Sequence, residues 1–404
     1  MDVFIARQPI FNKKLEIYGY ELFYRDNLNN KADFDDGNLA TSNVIVNSLM
    51  LLGLENISGE RLSFINFTEN LIKKEAATIF SPDSLIIEIL EGTKPTESFI
   101  EACIHLKTQG YKFALNDYVL NNYNEPLLKL VDIIKVDFVL TNKDERGKIA
   151  MQLKPFKAKL LAKKVETYEK FEEAKEIGYS YFQGYFFEKP KIIKIKKIVE
   201  SLQTYIRILK ELNKSIPEFS SIAQVIETDV SLTYKVLKLV NSPAFTARSR
   251  VSSLDQALVR LGFREIRKVI SILMLRNINA DKPNELIRTS LIRAKLAEHI
   301  SIATDDKKRS SEYFILGLFS TIDALMDQPM KIIMRDLPLE EDLKDALIGD
   351  NNVFKDVLDI MKLYEKGYWE VVARRSKAIG LNNRILPTLY LDAISWSNQA
   401  MSEI

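Results

Sequence analysis

The chain has 404 residues, of which 46% are hydrophobic and 28% charged, with a formal net charge of +2. This length predicts more than one domain, and the charge balance excludes a strong overall field for nucleic acid or membranes. The single cysteine, Cys103, excludes an intramolecular disulfide, and two distant histidines exclude a histidine-rich metal cluster. Neither a signal-peptide pattern nor a membrane-spanning apolar run is present, which predicts a cytoplasmic protein without a membrane partner.

The first 190 residues alternate short apolar runs with amphipathic stretches. The predicted strands are Val3–Pro9, Ile17–Tyr24, Leu62–Phe67, Leu85–Leu90, Lys112–Asn116, Ile133–Val136, Lys159–Lys163 and Tyr181–Phe182. The predicted helices are Gly37–Leu52, Glu69–Ile79, Thr96–Gln109, Pro126–Val131, Lys143–Pro155 and Tyr168–Ile177. Strands separated by helices indicate parallel βα units, and this number of units predicts a closed (β/α) barrel over residues 1–190.

The pattern becomes helical after a basic junction at Lys189–Lys197, which we interpret as a solvated linker, with a phosphate or RNA contact as the alternative. Apolar residues then recur at spacings of three and four, which predicts an all-helical domain over residues 191–404. A first amphipathic helix is predicted directly after the junction. The later predicted helices are Ser220–Glu227, Ser231–Asn241, Leu254–Leu261, Glu265–Asn277, Leu286–Ala303, Ser311–Leu325, Leu339–Leu347, Val353–Glu365, Trp369–Ala378 and Leu386–Met401.

Polar residues interrupt or follow several of the predicted barrel strands. They are Glu21, Asn66, Glu88, Asn116, Asp117, Lys135 and Asp137. Burying such groups without partners would be costly, and the functional residues of (β/α) barrels lie at the C-terminal ends of the strands. We therefore expect one shared polar pocket at the barrel mouth.

These segments resemble, in chain order, the motifs of EAL-type cyclic di-GMP phosphodiesterases. The matching segments are Gln8-Pro9-Ile10, Glu21-Leu22-Phe23-Tyr24-Arg25, Phe64-Ile65-Asn66-Phe67, Glu88-Ile89-Leu90-Glu91, Asn116-Asp117-Tyr118, Lys135-Val136-Asp137, Ala162-Lys163-Lys164-Val165-Glu166-Thr167 and Gln183-Gly184-Tyr185. Each motif is weak alone, but their shared order makes the resemblance specific.

The resemblance implies a site that hydrolyses cyclic di-GMP with two divalent cations, Mg²⁺ or Mn²⁺. The implied metal-holding residues are Glu21, Asn66, Glu88, Asp117 and Asp137, together with the position of Asn116. The implied ligand contacts are Gln8, Arg25 and Gln183. The retained counterparts of catalytic residues are Lys135, which would assist the attacking water, and Glu166.

Two departures from the motifs change the charge of this site. Asn116 stands where the family has aspartate, and Lys163 stands where it has glutamate, which moves the site about three units toward positive charge. An ammonium group repels hard cations and cannot ligate them unless it is deprotonated. Residues 119–124 also replace a glycine-rich loop of the family. The sequence therefore predicts a barrel without catalytic residues, although a residual one-metal site or nucleotide binding alone stays open.

The helical half resembles the HDOD domain over roughly residues 196–404, most specifically at Leu239–Phe245 and Leu254–Gly262. Related HD enzymes have a His-Asp metal pair after a Gly-Leu-Leu run, but here Ser320 and Thr321 follow Gly317-Leu318-Phe319. We therefore expect this domain to bind an unknown signalling protein or to set domain geometry. Catalysis by it is not expected.

An EAL domain followed by an HDOD domain resembles a two-domain bacterial signalling group. The first hypothesis is a catalytically inactive cyclic di-GMP-related regulator that acts by ligand or protein binding. The alternative is a weakly active phosphodiesterase that produces pGpG. A nucleic-acid binder using Lys189–Lys197, Arg248, Arg250, Arg264 and Arg267 is disfavoured, because no aromatic residues interleave this basic set. A homodimer is a further expectation from the resemblance.

Overall fold

The computed structural model describes residues 4–25, 53–90, 92–118, 125–188, 202–245, 251, 253–278, 282–304 and 306–403. It divides into two compact units, Met1–Phe187 with Glu365–Gly367 and Glu188–Tyr364 with Tyr368–Ile404. The predicted helix Gly37–Leu52, the loop 119–124 and the junction Lys189–Lys197 lie outside the described residues. A domain boundary after residue 190 stays a prediction.

A closed eight-stranded barrel forms the first unit, with the strands in the order β1 to β8. They are β1 (Phe4–Asn12), β2 (Ile17–Arg25), β3 (Leu62–Phe67), β4 (Leu85–Ile89), β5 (Lys112–Leu115), β6 (Ile133–Asp137), β7 (Lys159–Lys163) and β8 (Tyr181–Gln183). Successive strands from β2 to β8 pair in parallel with one another, and the closed barrel that the sequence predicted is confirmed.

The first strand departs from the parallel expectation, because β1 is antiparallel to both β2 and β8. Asn12 explains the reversal. Its side-chain oxygen accepts the backbone N–H groups of Lys14 at 2.8 Å and Glu16 at 3.1 Å, so a tight turn returns the chain directly. A two-strand hairpin of this kind can only be antiparallel, whereas a parallel neighbour needs a long crossover.

Short helices connect the remaining strands of the barrel. They are α1 (Leu54–Ser58), α2 (Glu69–Lys73), α3 (Glu97–Thr108), α4 (Glu125–Leu130), α5 (Lys143–Leu153) and α6 (Tyr168–Glu176), with 3₁₀ turns at Ala76–Ile79 and Tyr185–Glu188. Asn142 and Glu145 form a capping box that fixes the start of α5. Helix α1 was not among the predicted helices because five residues are too few to show a helical period.

The barrel interior begins with a layer of buried apolar side chains, one from almost every strand. This core layer consists of Ile10, Phe64, Ile86, Ala114, Ile133, Leu161 and Tyr181. Side chains on a strand alternate between its two faces, so the residue two positions farther along a strand points into the same interior. The core layer therefore determines which side chains reach the barrel mouth.

The second unit is helical, as predicted. Its helices are α7 (Gln203–Leu212), α8 (Phe219–Glu227), α9 (Val230–Val240), α10 (Leu254–Arg276), α11 (Asn284–Ala303), α12 (Ser310–Phe319), α13 (Ile322–Met326), α14 (Met330–Asp336), α15 (Glu341–Ile348), α16 (Val353–Glu365), α17 (Trp369–Ala378) and α18 (Leu386–Glu403), with short 3₁₀ turns at Pro243–Phe245, Lys307–Arg309 and Asn383–Ile385. Helix α14 was not predicted. In the described part of the chain, no helix is long and apolar enough to cross a bilayer.

The motif residues of the helical unit have architectural roles. Asn241 ends α9, and its side chain exchanges two hydrogen bonds of 2.8 Å with the backbone N–H and C=O of Val251. Ser253 accepts the backbone N–H of Gln256 and caps α10. Gly262 has a non-helical backbone with a φ of 72°, so α10 consists of two helical segments that meet at this glycine and correspond to the two predicted helices. These residues fix the path of the chain between α9 and α10.

Candidate active site at the barrel mouth

A ring of polar side chains lies directly above the core layer, two residues along each strand toward the mouth. We define this polar layer as Gln8, Glu21, Asn66, Glu88, Asn116, Lys135, Lys163 and Gln183. Each of the eight strands, or the residue that immediately follows it, contributes one member. The period of two along each strand therefore brings together residues that are up to 175 positions apart in sequence.

Lys135 lies at the centre of this layer and is fully buried on β6. Its Nζ is 2.5 Å from Oε1 of Glu88 and 3.0 Å from Oε2 of Glu21. Both carboxylates are themselves buried, at 0% and 3% exposure. A buried ammonium requires such partners, and two buried carboxylates require a cation between them, so the three groups depend on one another.

The two carboxylates beside Lys135 have opposite pKa shifts. Burial opposes ionisation of Glu21, but the ammonium groups of Lys135 and Lys163 outweigh it and lower the pKa of Glu21 to about 2. Burial raises the pKa of Glu88 to about 7, and the neighbouring charge of Glu21 adds to this effect. Glu21 is therefore the permanent anion of the pair, and Glu88 is the carboxylate that accepts a proton near neutral pH.

Asn116 joins the polar layer through its amide group. Its Nδ2 donates to Oδ1 of Asn66 at 2.8 Å and to Oε2 of Glu88 at 3.3 Å. An aspartate here could not donate these bonds, and its charge would lie beside Glu88. Oδ1 of Asn116 is buried without a hydrogen-bond partner. The amide thus replaces a negative charge with a donor that holds Asn66 and Glu88 in place.

Lys163 ends β7 and points into the mouth, because its Nζ is 2.8 Å from Oδ1 of Asp117. Asp117 has a φ of 44°, in the left-handed region that non-glycine residues seldom adopt, and this turn aims its carboxylate toward Lys163. Burial opposes the charge of Lys163, but Glu21, Asp117 and Glu88 outweigh burial and raise its pKa. The Lys163 side chain is therefore a fixed ammonium inside the mouth.

Two of the three implied ligand contacts hydrogen-bond each other. Nε2 of Gln183 donates to Oε1 of Gln8 at 2.9 Å and also to Oε2 of Glu21. Oε1 of Gln183 is buried without a partner. The third implied contact, Arg25, ends β2, and its side chain lies outside the described residues.

The glycine after Gln183 allows a close backbone contact that positions Gln183. Gly184 has a φ of 147°, and a Cβ at this position would be 2.1 Å from the backbone oxygen of Val165. The backbone N–H of Val165 in turn donates to the Gln183 carbonyl at 2.9 Å. Only glycine allows the end of β8 and the segment after β7 to approach so closely.

Asp137 and Glu166 have surroundings that differ from the implied roles. Oδ1 of Asp137 accepts the backbone N–H groups of Val139 at 2.7 Å and Leu140 at 3.1 Å, while Lys164 Nζ is 2.6 Å from Oδ2. Burial opposes ionisation of Asp137, but these partners lower its pKa. Asp137 therefore stabilises the turn after β6. Its ion-pair partner is Lys164, which was not among the predicted site residues. Glu166 is exposed.

A pair of hard divalent cations needs several anionic oxygens that are free to turn toward the metals. Here Lys135 holds Glu21 and Glu88, and Lys163 holds Asp117, so three carboxylates face two ammonium groups. Within the described residues, no group of three or more His, Cys, Asp or Glu side chains is arranged to hold a metal ion. Two divalent cations in the mouth would therefore compete with Lys135 for Glu21 and Glu88, and with Lys163 for Asp117.

The helical unit carries small hydroxyl groups where the related enzymes have their metal pair. Thr321 and Ser290 are buried and hydrogen-bond each other, and Ser320 accepts a bond of 3.4 Å from Arg293. His299 lies on the same helix as Ser290, and burial lowers its pKa, which favours the neutral ring. No candidate metal group was found among the described residues of this unit.

Models of two protein families match the two halves of the chain. The EAL domain matches residues 47–190, and the HDOD domain matches residues 200–328. The barrel and the helical unit are therefore an EAL domain and an HDOD domain. The matched EAL range leaves out β1 and β2, although Gln8 and Glu21 on these strands belong to the polar layer.

Two relatives match nearly the whole chain. The uncharacterized protein YuxH of Bacillus subtilis is 36% identical over 99% of both chains. The cyclic di-GMP phosphodiesterase CdgJ of Vibrio cholerae is 31% identical over 98% of this chain and 92% of that protein. The chain belongs to the family of EAL–HDOD two-domain proteins.

Two solved structures are more distantly similar. BlrP1 of Klebsiella pneumoniae, in a calcium and cyclic di-GMP complex, is 19% identical with a TM-score of 0.40, covering 47% of this chain and 56% of that one. The Bacillus subtilis YkuI protein, with an EAL domain and in complex with cyclic di-GMP and calcium, is 20% identical with a TM-score of 0.38, covering 64% and 73%.

Proposed function

We propose that this chain is a cyclic di-GMP-related signalling regulator whose barrel does not hydrolyse the dinucleotide. The observation that carries the proposal is the ion pair between Lys163 and Asp117, 2.8 Å long, inside the mouth. It places a fixed ammonium beside the carboxylates that a two-metal hydrolase would need. Membership of the EAL–HDOD family and the name of the Vibrio cholerae relative support the link to cyclic di-GMP.

The electrostatic effect of Lys163 is large compared with the energies that hold metals in such sites. A unit charge and a divalent cation about 4 Å apart repel by about 8 kcal/mol at an effective dielectric near 20. Relief would require Lys163 to lose a proton or to leave the mouth. Its raised pKa opposes the first route, and its ion pair with Asp117 opposes the second.

We further propose that the HDOD domain transmits the signal by binding a partner protein, since the positions of the absent His-Asp pair are Ser320 and Thr321. The barrel contributes either by binding the dinucleotide or by docking. Dinucleotide binding would require Gln8 and Gln183 to exchange their mutual hydrogen bond for bonds to phosphate. Formation of a homodimer remains a prediction, which light scattering of the purified chain checks.

The test is to assay the full chain and its reversion variant for conversion of cyclic di-GMP to pGpG in Mg²⁺ or Mn²⁺. The wild type is expected to give no product above a metal-free control. Asn116→Asp combined with Lys163→Glu adds two carboxylates and removes one ammonium, a change of three charge units, and this double variant is expected to gain metal-dependent turnover.

The matched control is the same double variant with Glu21→Ala, which should abolish the gain. Wild-type turnover that Glu21→Ala removes would overturn the proposal. Cyclic di-GMP binding is measured in parallel by calorimetry without metal, so that loss of hydrolysis and loss of binding are separated.

The second candidate function is a weakly active cyclic di-GMP phosphodiesterase that uses a single Mg²⁺ or Mn²⁺ ion. Two observations favour it: Glu21, Asn66, Glu88 and Asp117 are all present in the mouth, and Oδ1 of Asn116 is buried without a partner. Under this alternative the wild type produces pGpG slowly, and Lys163→Glu alone accelerates the reaction. The same assay therefore separates the two candidates.

A further inference from the structure

One side of helix α9 is exposed and carries a distinctive set of side chains. Val230, Ser231, Tyr234, Lys235 and Lys238 are all exposed, whereas the opposite side of the helix is buried in the helical unit. Residues one, four, five and eight positions apart lie on one side of a helix, so these five side chains form a continuous strip along α9. We call this strip the α9 stripe.

The α9 stripe lies in the part of the helical unit that exposes its apolar side chains most. Val230 and Tyr234 are 82% and 67% exposed, and Ile216 and Val259 are 79% and 68% exposed. Among the described residues of the helical unit, no other large apolar side chain reaches these values. Isolated exposed apolar residues are ordinary, but their concentration in α8, α9 and α10, which pack against one another, marks an interaction surface.

The charge of the α9 stripe is positive. Lys235 and Lys238 are the only charged residues of α9, which contains no Asp or Glu. The nearest carboxylates in sequence, those of Glu227 and Asp229, precede the helix, and Asp229 caps it by accepting the backbone N–H of Leu232 at 3.0 Å. The exposed apolar pair is therefore bordered by ammonium groups, which favours an acidic partner.

This charge pattern also restricts the kind of partner. In a two-fold contact between copies of the chain, the same surface meets itself, so lysines would face lysines with no carboxylate of α9 to pair with them. A membrane surface is disfavoured because interfacial helices bury a broad apolar face, and the stripe offers two apolar side chains. A helix with apolar residues four positions apart and carboxylates beside them matches both features of the stripe.

We propose that the α9 stripe docks an acidic amphipathic helix of a partner protein. Val230 and Tyr234 contact the apolar side of that helix, and Lys235 and Lys238 pair with its carboxylates. The inference rests on the partner-binding role proposed for the HDOD domain, and it adds the surface used and the chemistry of the partner. It does not depend on whether the barrel binds or hydrolyses cyclic di-GMP.

The test uses the full chain, with a synthetic peptide as the probe. The peptide is a fluorescein-labelled helix of glutamate, alanine and leucine, with leucines four positions apart and glutamates beside them. Fluorescence anisotropy measures binding, which is expected to be saturable and to weaken as the salt concentration rises. A second peptide with lysine in place of every glutamate should bind at least about tenfold more weakly.

Charge reversal and truncation within the α9 stripe test its assignment. Lys235→Glu combined with Lys238→Glu should weaken binding of the acidic peptide at least about tenfold, and Tyr234→Ala should weaken it about fivefold. These side chains are exposed, so the variants should keep the melting temperature of the wild type. Tryptophan fluorescence checks this, since Trp369 and Trp396 both belong to the helical unit.

The matched controls change exposed residues elsewhere in the helical unit. Lys307→Glu combined with Lys308→Glu makes the same change in net charge, and Tyr368→Ala removes a ring that is 57% exposed. Both controls should leave binding of the acidic peptide unchanged. A loss in the lysine control equal to that in the stripe variant would contradict the inference, because binding would then follow the overall charge.

Three further results would overturn the inference. The first is the absence of saturable binding of the acidic peptide, or binding that the stripe variants do not weaken. The second is binding of phosphatidylglycerol vesicles by the wild type but not by the charge-reversed chain, since the stripe would then contact a membrane. The third is a partner protein that both chains capture equally from a lysate, which would leave the proposed role of the HDOD domain intact but exclude this surface.

Discussion

The barrel and the helical unit bury their charged side chains in different arrangements. In the barrel, eight strands converge on one ring, and Lys135 at its centre contacts carboxylates from two other strands. In the helical unit, Lys268 of α10 pairs with Glu298 of α11 and Glu265 of its own helix. Barrel closure therefore builds a shared site from distant residues, whereas helix packing builds local pairs that fasten neighbouring elements.

The largest expected effect follows from removing the central cation of each cluster. Lys135→Met removes the ammonium that contacts both Glu21 and Glu88, and it should lower the barrel's free energy of unfolding by about 3–5 kcal/mol. Lys268→Met should cost about 1–3 kcal/mol, because the half-exposed Glu265 remains hydrated. Urea unfolding followed by circular dichroism, with tryptophan fluorescence reporting the helical unit alone, measures both.

Lys164→Met is the matched control for this comparison. Lys164 also pairs with a buried carboxylate, Asp137, but its side chain is 57% exposed, so the change should cost less than about 1 kcal/mol. Equal losses of unfolding free energy for Lys135→Met and Lys268→Met would show that the charged groups of the polar layer depend on one another no more than those of a helix–helix ion pair do.

A second comparison uses one glycine from each unit. Gly184→Ala in the barrel would place a Cβ 2.1 Å from the Val165 oxygen, and it should cost about 3 kcal/mol or more. Gly262→Ala in the helical unit meets no atom within 4 Å, but its φ of 72° should cost about 1–2 kcal/mol. The same denaturation measurement ranks the two variants, and a larger loss for Gly262→Ala would contradict the steric argument at β8.

The last comparison concerns pH and distinguishes the two carboxylates of the polar layer. In the folded state the pKa of Glu88 is raised to about 7, so the folded protein holds a proton that the unfolded chain releases near pH 4.5. Barrel stability should therefore fall as the pH rises from about 5 to 7, by about 1–3 kcal/mol. The stabilising contribution of Glu21, whose pKa is lowered to about 2, is lost only below about pH 4.5, outside this window.

Glu88→Gln provides the control for the pH measurement. Glutamine keeps the size of the side chain but cannot titrate. The free energy of unfolding of the barrel in this variant should therefore stay constant between about pH 5 and 7. The fluorescence transition of the helical unit serves as an internal reference. A barrel stability that rises across this window in the wild type would rule out protonation of Glu88 as its cause.

The sequence predicted the barrel and most of its strands because apolar runs and connecting helices were well separated. It placed Glu21, Asn66, Glu88, Asn116 and Lys135 at one barrel mouth because polar residues lie at the ends of the predicted strands, whereas Gln8, Lys163 and Gln183 came from the family resemblance. It did not predict α14, which has seven residues and begins after Pro329. A helix this short depends on tertiary packing, which the periodicity of the sequence does not report.

The sequence also did not predict the contacts that depend on barrel closure. Gln183 reaches Glu21 only because β8 pairs with β1, and β1 pairs with β2. Asp137 resembled a metal ligand in its motif, yet its carboxylate binds the backbone of the following turn and Lys164. A motif fixes which residue occupies a position, whereas its hydrogen bonds depend on neighbours that are distant in sequence.

The reversed direction of β1 has a practical consequence for handling the protein. Since β1 is antiparallel to β2, and Phe4 pairs with Arg25 at the mouth end of β2, the chain enters the barrel on the same side as the polar layer. A purification tag or fusion partner placed ahead of Phe4 would therefore extend from the rim of the mouth, where it could obstruct a ligand or mimic one. Assays of the barrel should use a tag placed elsewhere in the chain.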